Sequence, residues 1–222
     1  MEYSWAERGP ATSLSAPEAA RVLLAAHVAV DGKRPTLAEA ELELAHEWIE
    51  TKRTEAMWRH NWGNLSAGGY VEGQERLSWN GDIWRPPWFA PGEGASPRML
   101  EIHEKMLAGR EPSAFRAYGS HQDGAEGLLR LWSRPGYLPL RKAAQTGNPT
   151  AYAKAVVSTG YCTNRGCQPD QLGPSLARVV AQFRRDRVFA GLGLSRSSSP
   201  SSGAGVALLA AVVLLSSERK SS

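Results

Sequence analysis

The segment His46-Glu47-Trp48-Ile49-Glu50 opens like the zinc-protease motif H-E-x-x-H. That motif puts two histidines four residues apart, so that both reach one metal from one helix face. Here the second histidine is replaced by Glu50, and His27, His60, His103 and His121 show no ligand spacing, so no metal site is expected. Cys162 and Cys167 enclose four residues. A loop of that length can close a local disulfide. No histidine stands beside either cysteine, which argues against a cysteine nucleophile. There is no G-x-S-x-G elbow and no phosphate-cradling glycine loop. What remains is Glu50 as an acid, with carboxylates Glu72, Glu75 and Asp82 among the aromatic residues Trp79, Trp84 and Trp88. One carboxylic acid that protonates a leaving oxygen, with a second group to help water at the other face, is the apparatus of glycosidic-bond cleavage. Flat aromatic rings suit sugar faces. Such chemistry requires no cofactor.

Two helices are expected to carry the first acid into place. Ser15-Ala16-Pro17-Glu18 reads as a capping box, and Asp31-Gly32 as the stop of the helix that follows. Thr36-Leu37-Ala38-Glu39 reads as a second box, opening a helix with Leu37, Leu44, Ala45 and Trp48 near one stripe. His46, Glu43, Glu47 and Glu50 fall away from that stripe. Residues 61–97 are punctuated by Gly and Pro. Asn80-Gly81, between two short aromatic pieces, predicts a two-residue hairpin turn. A charged helix is expected after Pro97. Helices capped by Ser120 and by Asn148-Pro149 follow, then a last one through Leu176, Val180 and Phe183. This pattern predicts an α+β chain, mostly helical, with a small β-hairpin lobe.

The boundaries read as an N-terminal extension over residues 1–14, a folded domain over 15–190, a Ser-rich linker over 191–205, and a short apolar segment with a basic tail over 206–222. The apolar run 206–215 is ten residues long, against the ~20 needed to span a bilayer. It reads either as a short docking helix or as a weak C-terminal membrane contact. The first ten residues carry Glu2, Glu7 and Arg8 and do not read as a signal peptide. With 42% hydrophobic and 22% charged residues the chain is neither disordered nor fibrous. The net charge of +4 suits polyanionic surfaces. Arg184, Arg185 and Arg187 form only a short cluster, and no nucleic-acid partner is expected.

Four stretches, in order, resemble the glucosaminidase family of bacterial and phage peptidoglycan hydrolases (glycoside hydrolase family 73). They are Ala45-His46-Glu47-Trp48-Ile49-Glu50-Thr51, Asn61-Trp62-Gly63-Asn64-Leu65-Ser66-Ala67, Phe115-Arg116-Ala117-Tyr118-Gly119-Ser120 and Tyr161-Cys162-Thr163-Asn164. The chain departs from the family where Thr51-Lys52-Arg53 replaces the glycine-containing stretch after the acid, and where residues 97–111 are inserted. The resemblance implies a lysozyme-like domain that cleaves the β-1,4 bond after N-acetylglucosamine in peptidoglycan, acting at the cell wall or in the periplasm. It implies Glu50 as the general acid, Glu75 as the second carboxylate with Glu72 and Asp82 behind it, and Tyr161 orienting the sugar N-acetyl group or the water. Asn61, Trp62 and Trp79 would form groove walls. Because charged residues follow Glu50, the alternative expectation is a non-catalytic glycan-binding module on the same fold.

Overall fold

A computed structural model describes residues 5–6, 11–54, 57–71, 74–161 and 168–195. Within them, six helices form a body around one apolar core: α1 (Ala16–Asp31), α2 (Leu37–Glu50), α4 (His121–Trp132), α5 (Leu138–Gln145), α6 (Pro149–Ser158) and α7 (Pro169–Arg185). The remaining described helix, α3 (Pro97–Leu107), packs on a five-stranded sheet. The α+β expectation of a mostly helical body with a small β lobe therefore holds.

The helix starts follow their caps. The Glu18 carboxylate accepts the Ser15 amide at 2.9 Å, closing the capping box, and Gly32, at φ +68°, ends α1. The Ser120 hydroxyl oxygen accepts the Asp123 amide, and the Asn148 side chain accepts two amides of α6. The second box is only half made. Thr36 accepts the Glu39 amide at 3.2 Å, but the Glu39 carboxylate turns inward, where Gln145 donates to it.

That inward turn follows from where α2 lies. It runs between α1, α5 and α7, so every residue from Glu39 to Glu47 is buried. The expected division of this helix into an apolar stripe and a solvated polar face is therefore corrected: Glu43, His46 and Glu47 are interior. Leu42 and Leu44 face the apolar core with Leu23, Leu128, Trp132, Tyr152 and Phe183.

The sheet runs β1 (Trp5–Ala6), β4 (Ile83–Trp84), β5 (Pro112–Arg116), β2 (Ser66–Val71), β3 (Gln74–Leu77) across its width. Strands β2 and β3 form the antiparallel hairpin, with Val71 opposite Gln74. The expected hairpin at Asn80-Gly81 does not form, because β4 pairs with β5 and β1 instead of with β3. The residues expected as an N-terminal extension supply β1, and Thr12 and Leu14 hydrogen-bond Met57 and Thr54. At the other end Leu192 and Ser195 return to the α1–α2 connection: Arg34 donates to the Leu192 carbonyl at 2.7 Å and the Leu37 amide to that of Ser195 at 3.0 Å. No helix among the described residues is long and apolar enough to cross a membrane. Residues 206–215 and the Cys162/Cys167 pair lie outside the described residues, as does Glu72.

Candidate active site

Helix α2 carries Glu39, Glu43 and Glu47 at four-residue spacing, stacked along one face. All three are buried, and an ionised carboxylate in that position requires a partner. Glu39 has Gln145 at 3.4 Å and Arg141 at 3.7 Å. Glu43 has His27 Nε2 at 2.6 Å; the other nitrogen of that ring meets Asp31 at 2.8 Å, and Arg141 holds Asp31 at 2.6 Å. Glu47 is different. It is 1% exposed, and among the described residues no side chain hydrogen-bonds either of its oxygens. Burial, then the charge of Glu50, push its pKa above the ordinary carboxylate value, while the Gly63 amide pulls the other way. Its surroundings thus favour the neutral acid.

The surroundings of Glu47 are built by three other segments. Gly63, at φ +73°, brings backbone against it in the turn between α2 and β2. A side chain there would collide with the Tyr161 hydroxyl and come within 2.8 Å of Leu128 Cδ1, so only glycine fits. The turn is fastened by Asn61, whose side chain accepts the Leu65 amide and donates to its carbonyl. Tyr161, after α6, places its hydroxyl 3.5 Å from the Gly63 carbonyl, against the rings of Trp132, Tyr137 and His46. Burial, with the nearby Glu50 charge behind it, raises its pKa.

Glu50 lies one turn beyond Glu47, at the end of α2, with its side chain 22% exposed. His46 Nε2 is 3.5 Å from its carboxylate, and Nδ1 of the same ring is 3.1 Å from the Tyr152 hydroxyl. Asn64 donates its side-chain amide to the Glu50 carbonyl at 3.0 Å. The arrangement is a buried carboxyl whose neutral form is favoured, a second carboxyl toward solvent and a phenol near both. It can give a proton to a bound group and offset positive charge that develops beside it.

Of the residues expected from sequence, the structure brings together Glu50 and Tyr161. Glu75 is elsewhere, on β3, bound to Arg85 at 2.6 Å. Asp82 sits in an exposed turn, its carbonyl taken by Trp79 Nε1 and the Ala117 amide. Trp79 is a partly buried residue of the β lobe, with the Arg116 guanidinium over its ring at 4.6 Å. Asn61 and Trp62 are not groove walls: both are fully buried, one as the clamp of the 61–65 turn and the other in the helical core. Among the described residues no cluster of His, Cys, Asp and Glu could hold a metal ion.

Sequence reasoning passed over Glu47, His46 and Gly63 as parts of one site. The available signal was the 39-43-47 spacing of glutamates on a helix whose apolar residues already cover its other side. It also passed over an aromatic pocket of about 260 Å³ in the β lobe, lined by Trp58, Asn64, Trp84, Pro87, Trp88 and Phe115.

No family model matches the chain, and no curated protein matches it. Among solved structures, it is similar to a mutant peptidoglycan hydrolase from Sphingomonas sp. A1 at 18% identity. That match covers 81% of this chain and 94% of the other, with a TM-score of 0.41, a loose overlap.

Proposed function

We propose that the chain is a glycoside hydrolase of the peptidoglycan glycan strand, with Glu47 as the proton donor. The observation that carries this reading is the contrast along α2: of three stacked buried glutamates, Glu47 alone lacks a side-chain partner among the described residues, and it is the one beside the second acid and the phenol. Glu47 gives its proton to the glycosidic oxygen as the C–O bond breaks, and the leaving sugar departs with that proton. Positive charge then develops on the sugar carbon, and Glu50, nearer solvent, offsets it. A water supplies the electron pair that replaces the lost bond and gives its proton to the Glu47 carboxylate left by the first transfer, which restores the acid; where the N-acetyl oxygen attacks first, a water opens the resulting ring with the same proton transfer. Tyr161, whose hydroxyl lies against Gly63 beside Glu47, orients the sugar or the water. The choice of peptidoglycan, and of the bond after N-acetylglucosamine, is supported by the four motif stretches that resemble glucosaminidases. It places the site of action at the cell wall or in the periplasm.

Release of reducing ends from purified peptidoglycan tests the assignment. Glu47→Gln keeps the shape but delivers no proton, so activity falls by ~10²–10⁴-fold. Glu50→Gln separates this reading from the one in which Glu50 is the acid: full activity in Glu47→Gln with loss in Glu50→Gln transfers the role to Glu50. One observation favours the non-catalytic alternative, namely that Glu47 is 1% exposed. Under that alternative the wild type binds glycan and releases no reducing ends.

A further inference from the structure

We propose that the aromatic pocket of the β lobe is a saccharide subsite, which seats the apolar face of one pyranose ring of the glycan strand beside the acid. This rests on the hydrolase reading for the identity of the strand, and on the pocket's own structure for the rest.

The pocket walls are rings held by one another. Trp84 stacks on Phe115 at 4.9 Å between centroids and 16° between planes. Trp88 meets the same Phe115 edge-on at 6.1 Å, and its indole N–H donates to the Pro112 carbonyl at 3.2 Å. Trp58 tilts over Trp84 at 5.8 Å. These contacts fix the rings before any ligand arrives, and preorganised flat surfaces lose little entropy on binding. Trp58 and Trp88 are partly exposed, so the pocket opens to solvent.

The chemistry of the lining selects the occupant. Among the described residues no charged side chain lines the pocket, so none offers a counter-charge to a phosphate or a free ion there. The lining is not wholly apolar. Asn64 contributes an amide, and the Trp84 indole N–H, in a residue that is 3% exposed, has no partner among the described residues. Flat carbon surface with one or two hydrogen-bonding groups matches a pyranose, which presents C–H groups on one face and hydroxyls around its edge. The volume of about 260 Å³ lies just under the range typical of drug-sized ligands, and admits one ring.

Location ties the pocket to the acid. Asn64 lines the pocket, and the same side chain donates to the Glu50 carbonyl at 3.0 Å. Its chain neighbour Gly63 is the residue pressed against Glu47. A ring seated on Trp58 and Trp88 therefore shares Asn64 with the end of α2 that carries Glu50.

The test uses Trp88→Ala, with Trp58→Leu as a second variant should Trp88→Ala fail to give the wild-type circular dichroism spectrum. Binding of a β-1,4-linked N-acetylglucosamine tetramer is followed by tryptophan emission and calorimetry, and KM and kcat are measured separately on purified peptidoglycan. The expected result is about tenfold weaker tetramer binding and a similar rise in KM, with kcat little changed. Unchanged binding and unchanged KM in both variants overturn the subsite while leaving the hydrolase reading in place. Tetramer binding lost in the variants, alongside a wild type that cleaves nothing, keeps the subsite and removes the hydrolase reading. Binding of a proline-rich peptide in place of the tetramer, abolished by the same substitutions, overturns the subsite in favour of a peptide groove.

Discussion

Glu43 and Glu47 sit one turn apart on the same helix, equally buried, and differ in what faces them. His27 meets Glu43 at 2.6 Å, while Glu47 has no side-chain partner among the described residues, and burial raises its pKa. The stability linkage follows with a definite sign. The folded pKa of Glu47 is raised, so its neutral form favours folding at pH values below the unfolded carboxyl pKa near ~4.3, and that contribution is lost as pH rises through the folded value. Glu47→Gln, which has no charge to bury, should therefore melt increasingly above the wild type as pH is raised from 4 to 8. A difference in melting temperature that stays flat with pH would show that Glu47 does not hold its proton. The catalytic limb has the same sign, since hydrolysis should fall as pH rises through the Glu47 pKa. Gly63→Ala should cost ~2 kcal/mol or more, from a strained positive φ and from overlap with Tyr161 and Leu128, and it should abolish hydrolysis. Denaturant unfolding of the variant checks the first part. The resemblance to the glucosaminidase motifs singles out Glu50 and Tyr161, which the fold brings near one another. It does not single out Glu47, and an apolar stripe on α2 marks only one buried side. A helix packed on several sides has no solvated face, and periodicity alone does not count its neighbours.

At the scale of the element, the turn that leaves α2 is the strained one. Lys52, Arg53 and Thr54 all lie at positive φ, between 48° and 67°, where the Cβ of an L-residue is crowded. The Thr54 side chain hydrogen-bonds both backbone groups of Leu14, which explains its retention of that conformation. Arg53 is exposed. Arg53→Gly should raise stability by ~0.5–1 kcal/mol, the relief of strain exceeding the entropy that glycine adds to the unfolded chain. Equilibrium unfolding of the variant decides this; a loss of stability would mean that the arginine side chain contributes more than its backbone costs. Caps were the best-read part of the sequence. Those at Ser15, Ser120 and Asn148 are short-range hydrogen bonds that need nothing from the rest of the fold. The hairpin at Asn80-Gly81 was misread for the converse reason. Trp79 folds back over Gly81, with ring atoms 2.8 Å from where a Cβ would be, and donates to Asp82. Strand β4 then finds its partners far away in sequence, in β5 and β1. Strand pairing at such separation is decided by tertiary packing, which overrides the turn signal.

At the scale of the molecule, the two ends of the domain are fastened where sequence boundaries suggested loose chain. A chain cut after residue 195 keeps the Leu192 and Ser195 carbonyls and serves as the reference for melting temperature. Cutting after residue 191 removes the Leu192 and Ser195 carbonyls that Arg34 and the start of α2 use, and should lower it measurably. Equal melting temperatures for the two truncations would show that these contacts add nothing. The lobes are unequally supported. The helical body shares one core of more than twenty buried residues, whereas the sheet rests on Ala67, Ile83 and Ala114, with Leu77 and Trp79 leaning on them. Burial of that little apolar area gives the sheet a small share of the total folding free energy. Amide protons of β2, β3 and β5 should accordingly exchange with solvent through partial openings, well before those of α1, α2 and α4, which wait for global unfolding. Under this scheme the acid belongs to the slowly exchanging body, while the face that would grip a polymer can open and reclose many times within the lifetime of the fold. A long insoluble strand could then be admitted sideways, without having to be threaded from an end.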